Sequence, residues 1–308
     1  MSLVPRLIVG LCVPTRNPGP DAARQVAAFN RQSLHPNHFL VIDSASTDGS
    51  LQPYVEAGAR LHFIDPAEFN HGATRQLGIE LLGTDIVVFL TQDAELAEPE
   101  SLQRLVACFN NPAVGAAYGR QLPRAGAGAI EAHARLFNYP ARGQERSIRD
   151  RKELGIKTVF ISNSFAAYRC SDLMEVGGFP PHLIMGEDTY VAAKMLLAGK
   201  KVAYCAEATA FHSHNYGWMD EFRRYFDTGV LHAREPWIRQ QFGGPGGEGY
   251  RFLISEMRYL LRKNPLLLPS AMIRTALKLS GFRLGLREGS LPLGLKRHLS
   301  MFRSFWRA

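Results

Sequence analysis

Short, nearly unbroken apolar runs alternate with amphipathic stretches along the first two thirds of the chain. The runs "RLIVGLCVP" (6–14), "HFLVID" (38–43), "RLHFID" (60–65) and "IVVFL" (86–90) each end in polar or breaking residues. They predict strands, and the unbroken run at 86–90 predicts one covered on both faces. Between them, "DAARQVAAFNRQ" spaces Val26 and Phe29 helically behind Asp21, a predicted N-cap. A second helix is predicted at "NHGATRQLGIELL", carrying Arg75. Further on, "TVFISNSFAAYRC" predicts a strand, "GEDTYVAAKMLLAG" a helix and "KVAYCAEATAFHSH" another strand. This rhythm predicts the α/β class, with βαβ units and a mainly parallel sheet flanked by helices. From Gly119 to Lys157 the pattern loosens into "PRAGAGA" and "RGQERSIRDRKELG", which predicts a mobile excursion over the site. After about Pro236 helical, basic segments take over. The expected division is a catalytic unit over 1–235 and a helical C-terminal extension over 236–308.

Composition adds one asymmetry to this outline. Hydrophobic content of 46% and charged content of 21% suit a packed globular chain of 308 residues. Residues 251–308 hold twelve Lys and Arg against Glu256 and Glu288, a net +10, whereas residues 1–250 hold 24 basic against 26 acidic residues, a net −2. The basicity therefore belongs to the C-terminus and predicts contact with an anionic surface, either membrane or nucleic acid. Cys12, Cys108, Cys170 and Cys205 form no CxxC pair, so core filling in a reducing cytoplasm is expected. The N-terminus lacks a small-residue cleavage site and reads as a first strand. No segment reaches the ~20 apolar residues of a membrane span.

Candidate chemistry gathers at the strand ends. In open α/β sheets ligands bind beyond the carboxyl ends of the strands, and "VPTRN", "VIDSASTDGS" and "TQDA" all occupy such ends. Asp43, Ser44, Ser46 and Asp48 offer groups suited to a base and ribose, and Arg75 suits phosphate oxygens. Asp93, at the end of "IVVFLTQD", has two readings: a metal ligand facing a diphosphate, or a cap for the following helix. "DSASTDGS" alone also reads as a hydrophilic turn.

Together, "VIDSASTDGS", "FNHGATRQLG", "FLTQDA", "SNSFAAYR" and "GEDTYVAAKMLLAG" resemble the inverting glycosyltransferases of family two, above all bacterial rhamnosyltransferases of surface polysaccharide synthesis. The resemblance covers about residues 5–235 and implies the family's nucleotide-sugar-binding (GT-A type) fold, with dTDP-L-rhamnose as donor. On it, Pro14, Thr15, Arg16 and Asn17 match the first nucleotide-contacting strand end, and Asp43 the acid at the base. Asn70 falls within the matching "FNHGATRQLG", and Arg75 matches a position near the diphosphate. Gln92-Asp93 stands where many relatives carry the first two residues of an Asp-any-Asp motif. One carboxylate is thereby lost, and His212 best matches the histidine that completes the metal site. His214 lies two residues on, on the same side of an extended segment. Carboxylate, imidazole and phosphate ligands suit Mn²⁺ or Mg²⁺.

In "GEDTY", Glu187 and Asp188 open a helix, where acids complement the helix dipole. The resemblance puts the catalytic base on Asp188, beside Glu187. The implied reaction is inverting transfer of rhamnose to a saccharide hydroxyl in cell-surface polysaccharide or lipopolysaccharide assembly. The rivals are a UDP-hexose donor on the same fold and a non-enzymatic nucleic-acid-binding protein acting through the basic tail. That tail contains no recognised nucleic-acid motif. Its "SAMIRTALKLSGFRLGLRE" sets Ile273, Leu277 and Leu284 near one helical face and Arg274, Lys278 and Arg287 away from it, with Gly281 and Gly285 expected to weaken the helix. Phe302, Phe305 and Trp306 are mixed with Lys296, Arg297, Arg303 and Arg307. Two readings stay open: an interfacial helix on the anionic inner face of the cytoplasmic membrane, near a lipid-linked acceptor, or packing on the catalytic unit or in a homodimer.

Overall fold

A computed structural model describes residues 7–213, 216–244 and 246–306. Nine strands form one sheet among the described residues: β1 (Val9–Thr15), β2 (His38–Asp43), β3 (Arg60–Phe63), β4 (Ile86–Leu90), β5 (Glu95–Leu96), β6 (Val114–Leu122), β7 (Gln144–Arg146), β8 (Phe165–Arg169) and β9 (Lys201–Phe211). The order is β3-β2-β1-β4-β8-β6-β9-β5, with β7 also on β9. β3, β2, β1 and β4 are mutually parallel, as is the β6–β9 pair, while β8, β5 and β7 run antiparallel to their neighbours. Alternating residues feed two apolar layers. Cys12, Ile42, Val87, Phe89 and Tyr168 face one side, and Leu11, Val13, Val41, Val88 and Leu90 face the other. Register brings Thr15 opposite Asp43 and Asp43 opposite Phe63, so the carboxyl ends meet at one edge, as the apolar runs predict.

Several local expectations are corrected. The first helix, Pro20–Asn30, is capped by Gly19 with Pro20 at its start; Asp21 lies in its first turn. Asp93 does not cap a helix, because β5 follows it and the next helix opens only at Ser101. The stretch predicted to be a mobile excursion contains the last four residues of β6, the helix Ala129–Asn138, β7 and a buried Arg146 that donates to the carbonyls of Lys157 and Phe160. β6 escapes the apolar pattern because it is built of Gly and Ala where its neighbours crowd it. A Cβ on Gly119 would lie 2.3 Å from Phe165 and 2.6 Å from the Ala208 carbonyl. Only Phe165–Arg169 of "TVFISNSFAAYRC" is strand.

Beyond Pro236 come the helices Pro236–Phe242, Gly246–Lys263, Leu268–Gly285 and Leu293–Leu299. Ile238 and Phe242 join the core cluster under the sheet. Gly281 and Gly285 do not weaken the Leu268–Gly285 helix. They bring its backbone against the Trp218–Arg234 helix, where a Cβ on Gly285 would lie 2.0 Å from the Phe226 carbonyl and one on Gly281 2.4 Å from that of Phe222. The membrane face read from this region is also revised. Leu277, Leu284, Phe302, Phe305 and Trp306 pack with Ile184, Phe226 and Val230, and Arg274 and Lys278 pair with Glu221 at 3.3 and 3.4 Å. The glycine crossing lets the two helices approach closely, so this face is covered by protein. Arg307 and His214 lie outside the described residues.

Candidate active site

The first loop beyond the sheet is held by side-chain amides. Gln92 accepts from the Thr15 hydroxyl at 3.0 Å and the Arg16 amide at 2.7 Å, and donates to the Arg16 carbonyl. Asn17, at φ +46°, donates its backbone N–H to Ser46 Oγ at 2.7 Å and accepts from the Thr47 N–H at 2.8 Å. Asp43 is fully buried, and both its oxygens accept from Ser46. Pro14 faces Ile42 in the β1–β2 register, and the Ser44 N–H donates to the Thr15 carbonyl. Pro14 to Asn17 and Asp43 to Ser46 are thus one cross-braced edge, in which Asp43 holds the loop's shape. Gln92 is the brace between this edge and the end of β4.

Arg75 lies elsewhere. Asn70 caps the His71–Leu82 helix by accepting from the Gly72 and Ala73 amides, and its Nδ2 donates to the Leu183 carbonyl at 2.9 Å. This ties the helix start to the loop before Gly186. Arg75, one turn in, is therefore brought to Glu187, with Nη1 3.0 Å from Oε1, and not held open toward a diphosphate. It is buried, with its guanidinium 5.9 Å from the Phe89 ring centre.

Glu187 and Asp188 open the helix Glu187–Leu197 behind Gly186, whose φ of +76° suits glycine. Burial opposes the Glu187 charge, but Arg75, His71 and Asn163 outweigh it and hold the carboxyl below its ordinary value. Burial, reinforced by the Glu187 charge, pushes Asp188 up to about 6. Asp188 accepts from the backbone N–H of Thr189 at 2.7 Å and of Asn163 at 3.3 Å. Two adjacent carboxyls are driven apart by their surroundings: one stays charged, the other titrates near neutrality.

Asp93 and His212 meet at the end of β4 and the end of β9, with Oδ2 and Nε2 3.3 Å apart and Ser164 Oγ 3.5 Å from Nε2. The protonation of this histidine follows from its other side. Arg135 donates to Gln121 Oε1 at 2.6 Å, so that oxygen is an acceptor, and it lies 2.9 Å from His212 Nδ1. Nδ1 therefore carries the proton and Nε2 turns a lone pair toward Asp93. Burial lowers the His212 pKa, favouring this neutral form. A lone pair facing a carboxylate is a donor set that suits a divalent cation, with Gln121 fixing the imidazole from behind. Among the described residues no group of three or more His, Cys, Asp or Glu could hold a metal ion. The remaining ligands would come from substrate phosphate and solvent, as magnesium and manganese sites permit. Arg124 also donates to the Asp93 carbonyl.

Gln121, Arg135, Asn163 and Ser164 are the site residues that the sequence did not disclose. Gln121 and Arg135 fall in the stretch whose apolar pattern is weak. Asn163 and Ser164 were legible only as part of "SNSFAAYR". Asn70, Arg75, Glu187 and Asp188 are brought into one network; Asp93 and His212 form a second, and Asn163 and Ser164 lie side by side between the two.

The mostly parallel sheet flanked by helices, with these residues beyond its strand ends, defines a fold of the GT-A type. Residues 11–177 match the family model described as glycosyl transferase family 2, and the chain belongs to that family and is a glycosyltransferase. It is 46% identical, over 97% of its length and 96% of the relative's, to a Salmonella typhimurium protein named O-antigen chain rhamnosyltransferase RfbN. It is 47% identical, over 96% and 95%, to O-antigen chain rhamnosyltransferase WbaN of Salmonella anatum. Among solved structures, a mannosyltransferase of Pyrobaculum calidifontis, in complex with GDP-Man and Mn²⁺, aligns at TM-score 0.59 and 19% identity, covering 98% of this chain and 86% of that one. S. aureus TarS 1–349 in complex with UDP aligns at 0.54 and 14% identity, covering 92% of each. Both support the fold.

Proposed function

We propose that the protein transfers L-rhamnose from dTDP-β-L-rhamnose to a hydroxyl of a saccharide acceptor in O-antigen assembly, with inversion at the anomeric carbon. The identity to two rhamnosyltransferases along nearly the whole chain carries the sugar assignment. Asp188, with its pKa raised to about 6, supplies a base poised near neutral pH. It takes the proton of the acceptor hydroxyl while that oxygen bonds to the anomeric carbon. The bond from that carbon to the dTDP oxygen breaks, and dTDP leaves with the electron pair. Glu187, fixed by Arg75 and Asn163, keeps a negative charge beside Asp188 and so sustains its basicity. Asp93 and His212 would hold Mn²⁺ or Mg²⁺, which supplies charge neutralisation for the departing diphosphate. Pro14 to Asn17, Asp43, Ser44 and Ser46 form the edge for thymine and ribose. Screening dTDP-, UDP- and GDP-sugars for nucleotide release, with and without Mn²⁺, tests the reading. Turnover of a UDP-hexose with none of dTDP-rhamnose would overturn the donor assignment.

We also propose peripheral attachment to an anionic membrane face through a surface other than the terminal aromatics. No helix among the described residues is long and apolar enough to cross a membrane. The turn joining the helices Gly246–Lys263 and Leu268–Gly285 leaves Leu261 60%, Leu266 88% and Met272 56% exposed, beside exposed Arg262 and Lys263. Trp218, also exposed, donates to Ser270 Oγ at 3.3 Å and extends the patch. Protruding apolar side chains beside cations suit anionic lipid, and an acceptor carried on lipid would meet the enzyme there.

A further inference from the structure

The helix Trp218–Arg234 carries a cation that neither network uses. Thr228 Oγ1 lies 3.8 Å from Met185 Sδ, and the Leu231 side chain packs over Gly186, where a Cβ would lie 2.5 Å from its Cδ2. Positions 224, 228 and 231 share one helical face, so the face that touches the loop leading into Asp188 also bears Arg224, one turn toward the N-terminus. On its other side Arg224 meets Tyr216, four residues after His212, with Nη1 3.2 Å from the phenol oxygen and the guanidinium 5.6 Å from the ring centre. Arg224 thus stands between the segment that carries His212 and the loop that carries Asp188. It is exposed. Its neighbour Arg223 pairs with Asp220 at 3.9 Å, but Arg224 has no carboxylate within ion-pairing distance among the described residues. Its charge nevertheless reaches inward: burial pushes His71, beside Arg75 and Glu187, down to about 4, and Arg75 and Arg224 add to that push.

We infer that Arg224 is a phosphate-binding side chain of the cleft, taking a phosphate or diphosphate group carried by a substrate. An open guanidinium braced by a phenol keeps its donors preorganised, and planar two-donor recognition of phosphate is what arginine does better than lysine. A carboxylate partner would compete for that fork. The inference rests on the proposed glycosyl transfer and deepens it. It leaves two carriers of the same chemistry: the nucleotide diphosphate of the donor, and a diphosphate joining a saccharide acceptor to its lipid. Trp218, in the exposed apolar patch, lies six residues earlier on the same helix, about 9 Å along its axis. A lipid diphosphate could therefore reach Arg224 while its chain stays with that patch.

The test uses the full chain with Arg224→Ala and Arg224→Lys. Calorimetry measures dTDP, UDP and inorganic pyrophosphate; steady-state kinetics compare a saccharide on a lipid diphosphate with the same saccharide on a neutral alkyl chain. Loss of a charge-assisted hydrogen bond predicts a weakening of about tenfold or more in Arg224→Ala, with Arg224→Lys intermediate. Weaker nucleotide binding identifies the donor diphosphate. Unchanged nucleotide binding, with KM raised for the diphosphate acceptor alone, identifies the acceptor. Values within twofold of wild type for every nucleotide, pyrophosphate and both acceptors would overturn the inference. Binding of UDP in place of dTDP would overturn the donor assignment and leave the Arg224 comparison readable on UDP.

Discussion

Arg75 and Glu187 form a buried ion pair, Nη1 to Oε1 at 3.0 Å, and it separates the protonation of two carboxyls adjacent in sequence. Because Glu187 is held charged, its field adds to burial in raising Asp188 to about 6. A base works only when deprotonated, so kcat/KM is expected to rise with pH through about 6 and level off above it. Glu187→Gln removes the neighbouring negative charge and should move that limb to lower pH, read from the pH–rate profile. A limb that stays near 6 in Glu187→Gln would show that another group titrates.

Asp188→Asn is expected to lower kcat by roughly 10²–10⁴, the usual worth of a general base, with donor affinity unchanged because the base acts in the transition state. Retention of more than about a tenth of wild-type turnover would remove Asp188 from that role.

The hydrogen bond between His212 and Gln121 carries a third prediction. Gln121→Leu deletes the acceptor that keeps the proton on Nδ1 and should weaken Mn²⁺ affinity about 10–100-fold, the usual cost of losing such a partner. His212→Ala and Asp93→Asn should weaken it at least as much. Titration of Mn²⁺ in the presence of dTDP reads all three, and normal affinity in Gln121→Leu would contradict the proton assignment.

Where the two long helices cross, Gly285→Ala sets a methyl group against the Phe226 carbonyl and 2.9 Å from the Gly229 Cα. A clash with backbone cannot be relieved by a rotamer change. The expected loss is about 1–3 kcal/mol or more, measured by urea unfolding. Gly289→Ala, which meets nothing within 4 Å, should leave stability nearly unchanged. Equal stability of the two variants would mean that the crossing opens freely.

Cosedimentation with vesicles containing anionic lipid distinguishes the exposed turn from the terminal aromatics. Leu266→Asp should reduce binding at low salt while leaving the fold intact, because Leu266 is 88% exposed. Trp306→Ala should instead destabilise the chain, since Trp306 packs with Phe226 and stacks with Arg234 and Lys296. Unaltered vesicle binding by Leu266→Asp would exclude the turn as the docking surface.

The sequence by itself determined the α/β class, the strands β1 to β4 and the chemistry at their ends. β1, β2 and β4 are apolar runs that lead to Thr15, Asp43 and Asp93, and period and polarity are local properties that need no partner to be seen. Glu187-Asp188 and His212 were legible through motif order. The tertiary structure alone decided which groups face each other. Arg75 meets Glu187 because the Asn70 cap ties its helix to the Leu183 carbonyl, 113 residues away. Gln121 orients His212 across 91 residues, from a strand whose small residues leave no apolar signal. The C-terminal aromatics read the same whether they meet lipid or protein, because amphipathicity records only that a face is to be covered. What covers it was decided by Gly229, Gly281 and Gly285, whose missing side chains let two helices approach until that face was buried.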